Sequence, residues 1–314
     1  MYYIGVDLGG TNCVVGLVDE NGTIMQYDSK PTRKERTVEA IFDDIIEGCR
    51  KLIKEHKLDH TNLKGIGIGT PGMINTAKGV IDYANNIKIK DFDAVGYIKK
   101  HLDFPVSIAN DADCAALGEV VAGGAKGFEN VVVFTLGTGV GGGVVIDGKL
   151  FTGSFAGATE IGHQIIVKNG KECSCGNKGC LESYASATGL INLAREKALE
   201  NKDSMLYKLV NGNMEKMNAK IPFDAAQAGD EIGQCVIDEY MDYLAIGIAN
   251  AINVFRPEVV LIGGGVSRQE ENLTKPLGEK VKELVYARVM HTQIRTARLG
   301  NDAGLIGAAM LNKA

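Results

Sequence analysis

Residues 2–8 form a short β-rich apolar run that stops at Gly9-Gly10-Thr11-Asn12. A second apolar run, 13–18, ends at Asn21-Gly22, a dipeptide suited to a tight hairpin, and a third strand follows at 24–28. From 38 to 56 the apolar positions Ile41, Ile45, Cys49, Leu52 and Ile53 recur near helical spacing. Residues 64–70 alternate apolar side chains with glycine, as a strand does, and close on Pro71-Gly72. A strand at 106–109 runs into Asn110-Asp111, good cap residues for a helix over 111–122. The pattern then restarts. A strand at 131–136 breaks at Gly137-Thr138-Gly139, and a second, 142–146, ends at the hairpin signal Asp147-Gly148. An irregular stretch fills 150–182, and helices are predicted over 184–199 and 231–255. A strand at 259–262 stops at Gly263-Gly264-Gly265; a helix near 270–286, a strand near 294–298 and a helix near 304–312 complete the chain. The order strand, glycine turn, strand, hairpin, helix, strand, helix thus occurs twice. It predicts two α/β halves with a cleft between them.

The length, 314 residues, suits two such halves. Hydrophobic residues at 45% and charged residues at 23% supply large cores and exclude disorder as the main state. The net charge of -5 argues against a nucleic-acid partner. No apolar run reaches the ~18 residues of a membrane span, and no secretory signal is visible at the start, so a cytoplasmic location is expected. Glycine, 40 of 314, is well above the usual ~7% and implies tight turns and close backbone approaches. Of seven cysteines, Cys13, Cys49, Cys114 and Cys235 are scattered and read as inert core residues, whereas Cys173, Cys175 and Cys180 crowd one segment. His56, His60, His101 and His291 read as surface residues, and Arg33-Lys34-Glu35-Arg36 as a solvated face of mixed sign.

Three glycine turns carry candidate chemistry. In Asp7-Leu-Gly9-Gly10-Thr11, a carboxylate at a strand end precedes a turn whose N–H groups and hydroxyl can face phosphate oxygens; Asp7 can hold magnesium through water. Gly137-Thr138-Gly139 occupies the corresponding place in the second half, and Gly263-Gly264-Gly265 would let a purine approach the backbone. A plain hairpin turn is the competing explanation of the first. Neither a Walker P-loop nor a Gly-x-Gly-x-x-Gly after the first strand is present, which counts against those two nucleotide folds. Asp111, at a helix start, can accept a proton from an attacking hydroxyl, and the helix N-terminus is expected to lower its pKa; a simple helix cap is the alternative.

His163, Cys173, Cys175 and Cys180 give three thiols and an imidazole within about twenty residues, a ligand set that prefers zinc in a closed tetrahedral structural site. Glu160 and Glu182 flank these ligands and can grip sugar hydroxyls through charge-assisted hydrogen bonds, or can simply be solvated surface groups.

Taken in order, Asp7-Leu-Gly-Gly-Thr11, Asn110-Asp111, Leu136-Gly-Thr-Gly-Val-Gly-Gly-Gly143, Glu160-Ile-Gly-His163 and Cys173-x-Cys175-Gly-x-x-Gly-Cys180-Leu-Glu182 resemble the ROK family (repressor, open reading frame, kinase) of bacterial sugar kinases. The resemblance covers nearly the whole chain. It implies an α/β fold of the actin-like, hexokinase-like ATPase type, with two RNase-H-like domains, an interdomain cleft and a zinc-braced loop. The first domain would hold 1–112 and about 298–314, and the second 113–297, with the zinc loop at about 160–182. It implies Asp111 as the base for the sugar 6-hydroxyl. Gly72, Asn86, Asn110, Asp111, Glu160, His163 and Glu182 would bind sugar, with His163, Cys173, Cys175 and Cys180 on structural zinc. Asp7, Gly9, Gly10, Thr11, Asn12, Gly137, Thr138, Gly139 and Gly264 would hold ATP with magnesium. Many glucose-specific members carry an Asn-Leu-x-x-Trp-like segment where this chain reads Ala84-Asn85-Asn86-Ile87-Lys88-Ile89-Lys90-Asp91-Phe92; the missing Trp bears on the choice of sugar more than on the reaction. The expected activity is ATP-dependent phosphorylation of glucose at the 6-hydroxyl. The alternatives are another hexose (N-acetylmannosamine, mannose, allose or fructose) or a sugar-sensing regulator without catalysis. Because the first glycine turn begins at residue 7, no room is expected ahead of it for the DNA-binding segment of the family's repressors. Expected partners are sugar and ATP and a second or further copies of the chain as a dimer or tetramer, with no nucleic acid and no membrane.

Overall fold

The computed structural model describes residues 1–154, 157 and 159–313. In chain order its first elements are β1 (Tyr2–Leu8), β2 (Asn12–Asp19), β3 (Ile24–Pro31), α1 (Val38–Glu55), β4 (Leu63–Thr70), β5 (Met73–Asn75), β6 (Val80–Ala84), β7 (Ile89–Asp93), α2 (Ala94–Lys99), β8 (Val106–Asn110) and α3 (Asp111–Ala122). There follow β9 (Val131–Leu136), β10 (Val140–Ile146), β11 (Lys149–Leu150), α4 (Glu182–Ala185), α5 (Ala187–Glu200), α6 (Met205–Leu209) and α7 (Ile221–Gln227). The chain ends with α8 (Glu231–Phe255), β12 (Val259–Gly264), α9 (Glu271–Leu284), β13 (Gln293–Thr296) and α10 (Asp302–Met310).

Two five-stranded sheets have orders β3-β2-β1-β4-β8 and β11-β10-β9-β12-β13. Both place a three-strand meander beside two later strands, so the repeat read from the sequence is a repeat of strand order. In the first sheet β1 pairs antiparallel with β2, β2 antiparallel with β3, and β1–β4 and β4–β8 are parallel. Parallel strands buried on both faces need near-continuous apolar sequence, and β1 and β4 are almost wholly buried. A third, three-stranded sheet, β5-β6-β7, was not anticipated from the pattern.

Two compact units emerge: residues 1–131, 143–159 and 298–314, and residues 132–142 and 160–297. The boundary expected at 112/113 would have put α3 in the second unit. It belongs with the first, because α3 packs on α10 through glycine: a side chain at Gly307 would collide with the Cys114 carbonyl, and one at Gly118 with that of Ala303. A side chain at Gly67 would likewise strike the Ala308 carbonyl, so the alternating glycines of β4 let α10 lie directly on the sheet. Glu119, buried at 1% exposure, fixes the chain where it re-enters this unit. Its carboxylate accepts from the backbone N–H groups of Gly124 (2.6 Å), Arg298 (2.9 Å) and Leu299 (2.8 Å).

In the second unit the long α8 supplies the core, with Val236, Tyr240, Leu244, Ile248 and Ile252 on its buried face. The Tyr240 hydroxyl donates to the Ala185 carbonyl at 2.9 Å. The helix expected over 184–199 is divided: Ser186 ends α4 and caps α5, accepting from Gly189 N–H at 2.9 Å. Cys13, Cys49 and Cys114 are buried as expected, but Cys235 is exposed, because that position of α8 faces solvent. Among the described residues no helix is long and apolar enough to cross a membrane.

Candidate active site

In the first unit the predicted residues gather at the ends of β1, β4 and β8. The first turn closes with Gly9 N–H on the Asn12 carbonyl at 2.9 Å, and Thr11 and Asn12 are exposed. Asn86 lies beside this turn, in the short 3-10 segment after β6; a Cβ built on Gly10 would sit 3.4 Å from its carbonyl oxygen. Asn110 ends β8 and caps α3. Its Oδ1 accepts from Ala112 N–H at 2.8 Å and its Nδ2 donates to the Gly72 carbonyl at 3.1 Å. Gly72 has φ of 112°, and any side chain there would strike the Tyr83 carbonyl.

Asp7 and Asp111 are close enough to repel. Burial, and then the Asp111 charge, push the Asp7 carboxyl from its usual 3.8 up to about 6. Asp111 also lies above the ordinary carboxylate value. The expectation that the helix N-terminus would lower it is corrected: burial outweighs the Ala112 N–H, which donates to Oδ1 at 2.9 Å. A pair of carboxylates that resists ionisation is suited to a cation, and Asp7 therefore fits magnesium. Asp7 also gives a pH dependence. Between about pH 4 and 6 the folded chain keeps a proton on Asp7 that the unfolded chain has released, so this group's contribution to stability falls as pH rises across that window, by about 2 to 3 kcal/mol. In metal-free buffer Asp7→Asn is expected to gain stability over the native chain at pH 7.5 but not at pH 4.5. Denaturant unfolding at both pH values checks this, and an equal difference at the two would refute it.

In the second unit Gly137 N–H donates to the Gly139 carbonyl at 3.0 Å. The two outward carbonyls of this turn accept from α5: Gly137 O from Ala187 N–H at 2.9 Å and Thr138 O from the Thr188 hydroxyl at 2.8 Å. Gly264 has φ of 84° and abuts the Leu136 backbone, so its glycine is required by strand packing; at Gly265 a side chain would meet open space. A purine could approach the backbone at Gly265 more readily than at Gly264.

The loop bears out the crowding of thiols. The ligand atoms of His163, Cys173, Cys175 and Cys180 lie within 4.8 Å of one another. Cys175 and Cys180 sulfurs are 3.7 Å apart, and Cys173 Sγ is 3.6 Å from His163 Nδ1. Tetrahedral zinc with bonds of about 2.3 Å would space its sulfurs by about 3.8 Å, so these residues fit zinc. His163 turns its other nitrogen, Nε2, toward Glu160 at 3.8 Å. Glu182 ties the loop to the glycine turn: Oε2 accepts from Val140 N–H at 3.1 Å and Oε1 from the Ser174 hydroxyl at 3.0 Å. Its close approach to Gly139 leaves no room for a side chain there.

A model of the ROK family matches residues 3–314. The chain belongs to the ROK family. Its ROK relatives include proteins similar to it over nearly their full length. It is 39% identical to a glucokinase of Halalkalibacterium halodurans, over 99% of this chain and 95% of that one, and 39% identical to a glucokinase of Thermotoga maritima, over 99% and 96%. Among solved structures it resembles a ROK family glucokinase from Streptomyces griseus in complex with glucose and AMPPNP, with 32% identity, 99% of each chain covered and a TM-score of 0.78. The ROK fold here is α/β, of the actin- and hexokinase-like type. Two residues beside this ROK site escaped the sequence reading. Arg36 ends the mixed-charge segment expected to be a solvated face and Thr32 stands just before it, yet Thr32 is buried and Arg36 half-buried, its Nη2 on Asp44 at 2.6 Å and on the Thr32 carbonyl at 3.2 Å.

Proposed function

We infer that this protein is an ATP-dependent sugar kinase that phosphorylates the 6-hydroxyl of glucose. The observation that carries this is the full-length similarity to glucokinases, joined to a carboxylate, Asp111, held at a helix start beside Asn110 and Gly72. Asp111 takes the proton of the 6-hydroxyl as that oxygen bonds to the γ-phosphorus; the bond from the γ-phosphorus to its bridging oxygen breaks, and ADP leaves. Gly72, Asn86, Asn110, Glu160, His163 and Glu182 bind the sugar. Asn110 retains one N–H and Glu182 retains acceptor capacity after their contacts within the protein, which supports those roles. Asp7, Gly9, Gly10, Thr11, Asn12, Gly137, Thr138, Gly139 and Gly264 hold the nucleotide. Magnesium, with Asp7 behind it, would offset the charge of the phosphates. Zinc on His163, Cys173, Cys175 and Cys180 would brace the loop and leave no open coordination position for catalysis.

A coupled assay of ADP release over a panel of hexoses tests the reading. Glucose is expected to give the highest kcat/KM, with one sugar phosphate formed per ADP. A higher value for mannose, fructose, allose or N-acetylmannosamine would move the substrate and keep the reaction. Binding of sugar without ADP release from any of them would end the kinase reading.

A further inference from the structure

The N–H groups of a glycine turn can face a phosphate only if its carbonyls are directed elsewhere. A peptide carbonyl aimed at the same anion would repel it, and a glycine-rich turn is free to rotate its peptide planes. In the first turn both carbonyls at issue are held by one residue that is not part of the turn. Thr32 donates its hydroxyl to the Gly9 carbonyl at 2.6 Å and its backbone N–H to the Thr11 carbonyl at 2.8 Å. Thr32 is itself fixed. It is 1% exposed, follows β3, which pairs with β2 through Asn12–Pro31, and its own carbonyl accepts from Arg36 Nη2 at 3.2 Å. Arg36 is anchored in turn by Asp44 of α1 at 2.6 Å. The order of restraint therefore runs from α1 through Arg36 and Thr32 to the turn.

The second turn has the same arrangement built from unrelated residues. There the Ala187 N–H and the Thr188 hydroxyl, at the start of α5, take the Gly137 and Thr138 carbonyls. One backbone N–H and one threonine hydroxyl thus hold two turn carbonyls in each unit. Local geometry of the turns does not require this, because each turn already closes through its own hydrogen bond, Gly9 N–H on Asn12 and Gly137 N–H on Gly139.

We propose that Thr32 is a positioning residue for nucleotide binding, whose hydroxyl holds the Gly9 carbonyl away so that the first glycine turn presents its N–H groups to phosphate. Thr188 does the same for the second turn. The proposal rests on the kinase reading above. Thr32 touches neither substrate nor reacting atoms; it acts through the turn. Losing one hydrogen bond of ordinary strength from the bound-state geometry corresponds to about a fivefold to tenfold weaker affinity.

Calorimetric titration of the full-length chain with magnesium and AMPPNP is the test. Thr32→Val is expected to weaken that binding by about fivefold to tenfold and to raise KM for ATP to match. Glucose affinity measured without nucleotide should stay within about twofold of native, and Thr32→Ser, which keeps the hydroxyl, should recover most of the loss. A general loosening of the fold would instead weaken both ligands and would not be cured by serine. Native affinity for AMPPNP in Thr32→Val, or equal losses for glucose and AMPPNP, would overturn the proposal. If Thr32→Val does not fold, Thr188→Val decides by the same criteria, since Thr188 is exposed and its loss leaves packing intact. A native chain that turns over ATP while the variants bind it normally defeats this inference alone; a native chain that binds no AMPPNP defeats the kinase reading with it.

Discussion

Asp111→Asn is expected to lower kcat by about a thousandfold while glucose still binds within a few fold of native. The two side chains have the same shape. The amide oxygen can continue to accept from Ala112 N–H, and Asn110 remains the cap of α3 with its link to Gly72. What the amide cannot do is take a proton. Without a base the 6-hydroxyl must attack while still protonated, and general-base assistance is typically worth 10²- to 10⁴-fold, roughly 3 to 5 kcal/mol of barrier. The raised pKa of Asp111 in the free protein strengthens the case, since a carboxylate partly stripped of water is a better proton acceptor than a solvated one. Steady-state rates at saturating glucose and ATP, with glucose binding followed separately, check the assignment. Retention of more than about a tenth of native kcat would remove Asp111 from the role of base.

What could be read from the sequence was whatever depends on near neighbours. The hairpins at Asn21-Gly22 and Asp147-Gly148 needed residues tolerant of positive φ, and Gly22, Asp147 and Gly148 adopt it. The apolar spacing of α1 and α8 located both helices to within a residue or two. The candidate metal cluster was legible because its four residues lie close in the chain and their types favour one class of ion. Tertiary effects were not legible. The strands β5, β6 and β7 are short, and their pairing shifts register between Met73 and Ile74, which blurs any alternation. Thr32 gives no local signal, since its partners Gly9 and Thr11 are more than twenty positions away and are reached through strand pairing. Arg36 was misjudged because a run of mixed charge says nothing about Asp44 waiting on the neighbouring helix. At Asp111 a correct local rule, the helix N-terminus, was outweighed by burial, a quantity fixed only once the chain has folded.

Cys175→Ser should abolish zinc binding and lower the melting temperature by about 10 °C, with Cys235→Ser as a silent control. The choice of Cys175 matters, because its side chain is exposed and fills no core space, so a serine there removes a ligand and nothing else. Cys180 is the opposite case. It is fully buried, and burial pushes its thiol up to about 12. Without a cation beside it that sulfur stays protonated, and the loop is left with three thiols and an imidazole in mutual contact but little to bind them together. Zinc bound there would favour the thiolates and convert the cluster into four bonds. A contribution of several kcal/mol to a unit of this size corresponds to a shift of that order in melting temperature. The effect should extend beyond the loop, because Glu182 joins Ser174 to Val140 at the glycine turn, so loss of metal is expected to raise KM for glucose as well. Metal analysis of the purified native chain should find about one zinc per chain, and treatment with a strong chelator should bring native protein to the melting temperature of Cys175→Ser while leaving that variant where it was. A native chain that melts identically with and without chelator, and carries no zinc, would show that the four ligands meet for packing alone.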